Sequence, residues 1–173
     1  MSESVPVYVG FSRPRGWFKP FAWTIMLVER RRFSHVYLRW HSTGADSDIV
    51  YHASGTQVHF LAFEFFMKKA IIVEEYLYDL PKDHYKDLLK FCMRHAGVDY
   101  GTRGVFGIAW VKFAELFKRQ VGNPLDSSTQ WCSKLIAQLL LGVGVDTKID
   151  AGTAGPSSIQ KFVNNSPLFS RVK

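Results

Sequence analysis

The chain has 173 residues, of which 47% are hydrophobic and 15% aromatic. That length suits a single domain spanning 1–173, and that apolar content excludes a disordered chain. Lys and Arg number 22 against 15 Asp and Glu, a net charge of +7 that favours an anionic partner without requiring one, and the two cysteines, Cys92 and Cys132, exclude a disulfide framework.

In chain order, Pro6 to Ser12 alternates and reads as a strand ending in a Gly- and Pro-containing turn. Trp17 to Glu29 is aromatic and apolar, a short helix or a packed loop. Ser34 to Trp40 reads as a strand, with alternation over Val36, Leu38 and Trp40. The turn Ser42 to Asp48 leads to a strand at Ile49 to Ala53, and Val58 to Phe60 makes a third. Short connections predict an antiparallel meander. Leu61 to Lys69 fits a short helix and Ala70 to Leu80 a strand. Lys82 to Ala96 is amphipathic, with Tyr85, Leu88, Leu89 and Cys92 at three- and four-residue spacing and Gly97 closing it. Helices follow at Gly104 to Arg119, Trp131 to Leu141 and Ile159 to Val163, with loops at Asn123 to Thr129 and Ala151 to Ser158. Strands first and helices later predict α+β.

The N-terminus lacks a positive region followed by an apolar one, and the longest apolar runs, Phe21 to Val28 and Leu135 to Val145, fall below the ~20 residues of a membrane span. A cytoplasmic, reduced protein is the expectation.

Cys132 follows Asp126-Ser127-Ser128-Thr129 at the predicted start of a helix. Unpaired N–H groups and the helix dipole there favour a thiolate, which predicts a lowered pKa and a better nucleophile. The same N–H groups can stabilise an oxyanion. Cys132 as a small buried hydrophobe is the alternative. Cys92, on the apolar face of its helix, reads as core. A nucleophilic thiol needs a base, and the base needs a group to hold its tautomer. Of the six histidines, His84 and His95 read as surface residues on the amphipathic helix, and His41 ends a strand beside a turn. His35, His52 and His59 lie on three consecutive strands and can project from one sheet. No HxxxH, HxH or CxxC spacing occurs, so neither a metal nor another cofactor is expected.

"FSHVYLRW", "IVYHASGTQVHF", "VDYGTRG" and "STQWCSKLIAQLL", in that order, followed by "GPSSIQKF", resemble the circularly permuted branch of the NlpC-type papain-like cysteine hydrolases. That branch includes bacterial permuted enzymes and the lecithin:retinol acyltransferase-like proteins. The resemblance spans most of the chain. It implies a papain-like α+β fold, a small antiparallel sheet packed against helices, with the His strand before the Cys helix. It places Cys132 at the nucleophile, His35 at the base and His52 at the third polar position. The bacterial enzymes more often have Glu there and the acyltransferase branch has His. A neutral His orients an imidazole less firmly than a carboxylate does. His59 competes for that role. Tyr100 matches the family's tyrosine and serves the architecture of the cleft. Tyr8 is a candidate oxyanion or pocket residue, with packing on the core as its alternative, and Trp131 is a second candidate beside the nucleophile.

The activity this implies is cleavage of an amide or peptide bond through a thioester on Cys132. A peptide, a peptidoglycan fragment or a lipid acyl group would be the substrate. Acyl transfer from a lipid at a membrane surface is the competing enzyme reading. Phe18 to Val28 and Arg30 to Arg32 support it, because an apolar segment beside cations fits an anionic surface. A non-catalytic basic module that binds nucleic acid or a protein partner is the third reading, since basic and aromatic residues interleave in "RPRGWFKPF" and "ERRRF".

Overall fold

The computed structural model describes residues 3–16, 19–54, 57–99 and 131–173. The expected helix at Gly104 to Arg119, the loop at Asn123 to Thr129 and Tyr100 lie outside the described residues.

The chain is α+β. Six strands form one antiparallel sheet: β1 (Ser4–Pro14), β2 (His35–Ser42), β3 (Ser47–Ser54), β4 (Gln57–Ala62), β5 (Ala70–Pro81) and β6 (Phe169–Arg171). Their order across the sheet is β4-β3-β2-β1-β5-β6. The expected meander is therefore β2-β3-β4, and β1 sits in the middle of the sheet between β2 and β5. Five helices complete the described structure: α1 (Pro20–Glu29), α2 (Phe63–Lys69), α3 (Lys82–His95), α4 (Cys132–Gly142) and α5 (Pro156–Asn165).

Alternation sorts each strand between two faces. Val7, Val9 and Phe11 of β1, Val36, Leu38 and Trp40 of β2, and Tyr51 and Ala53 of β3 enter one large core. Leu88 and Cys92 of α3 and Ile159 and Val163 of α5 meet them there, as does most of α4. Helix α4 is apolar nearly all round and buried from Cys132 to Ala137 and again at Leu139 and Leu140. Such a helix belongs inside a domain. Full burial of Leu135, Ile136, Leu139 and Leu140 stabilises the fold by about 1.5–3 kcal/mol each.

The opposite face is polar at its centre and carries a small apolar cluster of Tyr37, Val50, Phe66 and Ala70 under α2. Tyr37 lies across β1 at Gly10, where a Cβ would stand 2.1 Å from the Tyr37 ring. Only glycine leaves room for that crossing. His84 and His95 are half-buried rather than at the surface, and His95 Nδ1 lies 2.9 Å from the Phe91 carbonyl oxygen, one turn back.

Candidate active site

His35 opens β2 and, by alternation with the core residue Val36, points to the polar face of the sheet. His52 of β3 and His59 of β4 are direct cross-strand partners on that face. The His35 Nε2 and His52 Nδ1 atoms are 3.0 Å apart, a hydrogen bond between the rings. His59 touches His52 edge-on, with ring centroids 4.5 Å apart, and its Nδ1 lies 3.1 Å from the carbonyl oxygen of Gln57 on its own strand. Of the two candidates for the third position, His52 is the one that meets His35. Phe66 of α2 covers the pair, with its ring centroid 5.3 Å from that of His52 and 6.5 Å from that of His35.

Cys132 is the first residue of α4, as the sequence predicts, and α4 packs on β2 and β3. The ladder between β2 and β3 ends at Leu38↔Tyr51, which leaves the first residues of β2 beyond its last pair. There the Val36 N–H donates to the Cys132 sulfur. The thiol thus lies against the residue that follows His35. Among the described residues, no hydrogen bond joins the sulfur to the His35 ring.

The start of α4 is held from the other side. The Ala154 carbonyl accepts both the Trp131 indole N–H at 3.0 Å and the Ser133 hydroxyl at 2.6 Å. Trp131 is fully buried, and its only side-chain N–H is committed to that carbonyl. Its side chain therefore positions Cys132 and has no donor left for an oxyanion. Tyr8 is not at the site either. It faces Arg39 across the β1–β2 pair, with the guanidinium 3.9 Å above its ring.

Burial governs the electrostatics. It pushes the Cys132 thiol up to about 11, against the Val36 and Ser133 N–H groups and the Ser133 hydroxyl, which pull it down; Glu29 adds to the rise. The expected depressed thiol is not what the structure holds, because desolvation outweighs the helix terminus. Burial likewise lowers His35 to about 4, with His59 contributing, and His52 to about 2, with His35 and His59 contributing. At neutral pH the resting site is a neutral thiol beside two neutral imidazoles. Cys92 is fully buried, and desolvation holds its thiol above the usual range.

Glu29 is a participant that sequence reasoning missed. It is 8% exposed and ends α1, and its Oε2 accepts the Ser157 N–H at the start of α5 at 2.8 Å. Its Oε1 is buried with no partner among the described residues. A Cβ on Gly155 would lie 2.1 Å from that oxygen, so glycine is what admits the carboxylate. The available signal was an acid at the C-terminal end of an otherwise apolar helix, where the dipole disfavours it.

No protein-family model matches the chain, and no curated protein sequence does. Among solved structures, it is similar to the metalloprotein yiiX from Escherichia coli O157:H7 (DUF1105). The two share 12% identity over 99% of this chain and 97% of that one, with a TM-score of 0.60. At that identity the likeness carries the fold alone. Among the described residues, no group of three or more His, Cys, Asp or Glu side chains is arranged to hold a metal ion.

Proposed function

We propose that the protein is a cysteine hydrolase of the permuted papain-like kind, with Cys132 as nucleophile, His35 as base and His52 as the residue that positions His35. The observation that carries this reading is the 3.0 Å contact between His35 Nε2 and His52 Nδ1, beside a thiol bonded to the next backbone N–H. When His35 Nε2–H donates to His52 Nδ1, the His35 Nδ1 lone pair is left to accept a proton. His52 then carries its own proton on Nε2, which is buried and without a partner among the described residues.

In the chemistry this supports, Cys132 Sγ attacks an acyl carbon as its proton passes to His35 Nδ1. Thiolate and imidazolium form together, so each offsets the desolvation of the other. The protonated His35 then gives its proton to the leaving amine or alcohol, and a thioester remains. Water, deprotonated by His35, attacks the thioester and restores the thiol. N–H groups at the start of α4 are the available oxyanion donors. The substrate is an amide or peptide, including a cell-wall peptide, and a reducing cytoplasm keeps the thiol available. A lipid acyl substrate is the second reading, favoured by the exposed apolar side chains of α1 and α2 beside the site.

Iodoacetamide labelling at neutral pH tests the pair. Cys132 should label faster than Cys92. His35→Ala should slow Cys132 labelling by about a hundredfold, in the range that a positioned base supplies. Equal rates for the two cysteines, or an unchanged rate in His35→Ala, would sink the assignment.

A further inference from the structure

We propose that α1 and the end of α2 form a docking surface for an anionic phospholipid bilayer. Every residue of helix α1 except Thr24 and Glu29 is apolar, and Glu29 is the only buried side chain among those described in it. Trp23 is 54% exposed and Leu27 79%. On α2, Phe65 is 55% exposed and Met67 40%. The C-terminal end of α2 reaches the end of the sheet where β1 closes, from which the chain runs on to α1. Trp23 and Met26 line a shallow hollow with Arg13, Pro14 and Ile71, and the Arg15 N–H donates to the Lys69 carbonyl at 2.8 Å.

Charge frames this apolar surface. Arg13, Arg15 and Lys19 precede α1, and Arg30 to Arg32 follow it. Lys68 and Lys69 close α2, where Glu64 is the one exposed carboxylate. Apolar side chains with Trp among them, surrounded by Lys and Arg, match a bilayer interface: the first enter the acyl boundary and the second meet anionic headgroups. Nucleic acid fits less well, because phosphates and stacked bases do not bury aliphatic side chains such as Leu27 and Met67.

The surface adjoins the site. Phe66, between Phe65 and Met67, covers the His35–His52 pair, and α1 ends in Glu29 beside Cys132. Docking would set the cleft against the lipid. The inference stands on the surface alone, so Cys132→Ala should dock as well as wild type whatever the enzyme's substrate.

Co-sedimentation of the full chain with vesicles provides the test, using phosphatidylcholine alone and phosphatidylcholine mixed with phosphatidylserine. Binding to the mixed vesicles that weakens with salt is expected. Leu27→Asp should weaken it about tenfold or more, since one charge would then enter the apolar boundary. Arg32→Glu, on an exposed side chain outside α1, should weaken it several-fold on mixed vesicles and not on neutral ones. Three results would overturn the inference: equal partition to both vesicle types, wild-type binding by both variants, or salt-sensitive binding to a single-stranded oligonucleotide in place of vesicles.

Discussion

Along β2 two polar clusters stand side by side on the same face of the sheet, separated only by the side chain of Tyr37. On one side Arg39 donates to Glu75 through Nε and Nη2, both at 3.0 Å, and to Asp48 through Nη1. Tyr37 donates to the same Glu75 at 2.8 Å. The guanidinium carbon lies over the rings of Tyr8 and Phe63, 3.9 and 4.6 Å from their centroids. On the other side His35 and His52 share one hydrogen bond, and His52 Nε2 has no partner among the described residues. The first cluster satisfies its charges with one another. The second holds polar rings neutral in a dry setting, with a ring nitrogen of His35 left over. Fully satisfied networks hold a fold in one arrangement, whereas incompletely satisfied ones mark places where chemistry or a ligand can enter. Four residues along one strand, from His35 to Arg39, separate the two cases.

Breaking the closed cluster should have the largest effect. Glu75→Gln leaves Arg39 with an amide N–H group where it had a carboxylate. It should cost about 3–5 kcal/mol in urea unfolding. Under native conditions Cys132 should still label, because the thiol's contacts lie elsewhere. If stability were unchanged, the claim that this cluster fixes the sheet would fail.

The open cluster should show itself through acid. His35 titrates near 6.5 when unfolded and about 4 when folded. Between those values the unfolded chain binds protons that the folded chain does not. Stability should therefore rise with pH through this window and be lost as pH falls, by roughly 3 kcal/mol from His35 alone. The double substitution His35→Gln, His52→Gln should flatten that slope in denaturation curves recorded across the window. A slope that survives it would place the effect on other groups.

The smallest effect belongs to His59. Its Nδ1 lies beside Gln57 on its own strand, and it meets His52 only ring to ring. His59→Ala should change stability by about 1 kcal/mol or less and the Cys132 labelling rate by no more than about threefold. A loss as large as that of His35→Ala would make His59 part of the machinery and undo the contrast with His52.

The strands and helices were legible because their periods are clean. Alternation over Val36, Leu38 and Trp40 located β2, and three- and four-residue spacing located α3. Strand β6 was not read, because three residues carry no period and their pairing with β5 depends on contacts about ninety positions apart. The central place of β1 is likewise a tertiary fact. At the site, the order of the motifs pointed to Cys132, His35 and His52, and the rings of the last two lie 3.0 Å apart, Nε2 to Nδ1. The closed cluster was hidden because Arg39 and Glu75 are 36 residues apart. The thiol was misjudged for a different reason. Its place at a helix start can be read from sequence, but the depth of burial that opposes ionisation depends on everything packed around α4.

That burial has a consequence for oxidative damage. Peroxides attack thiolates, and they must reach the sulfur to do so. Cys132 is 3% exposed, and its thiol sits near pKa 11, so almost none of it is ionised at neutral pH. The resting protein therefore keeps its one candidate nucleophile at the lowest rung of sulfur oxidation. It becomes vulnerable when an electrophile at the sulfur or an opened cleft lets the proton pass to His35.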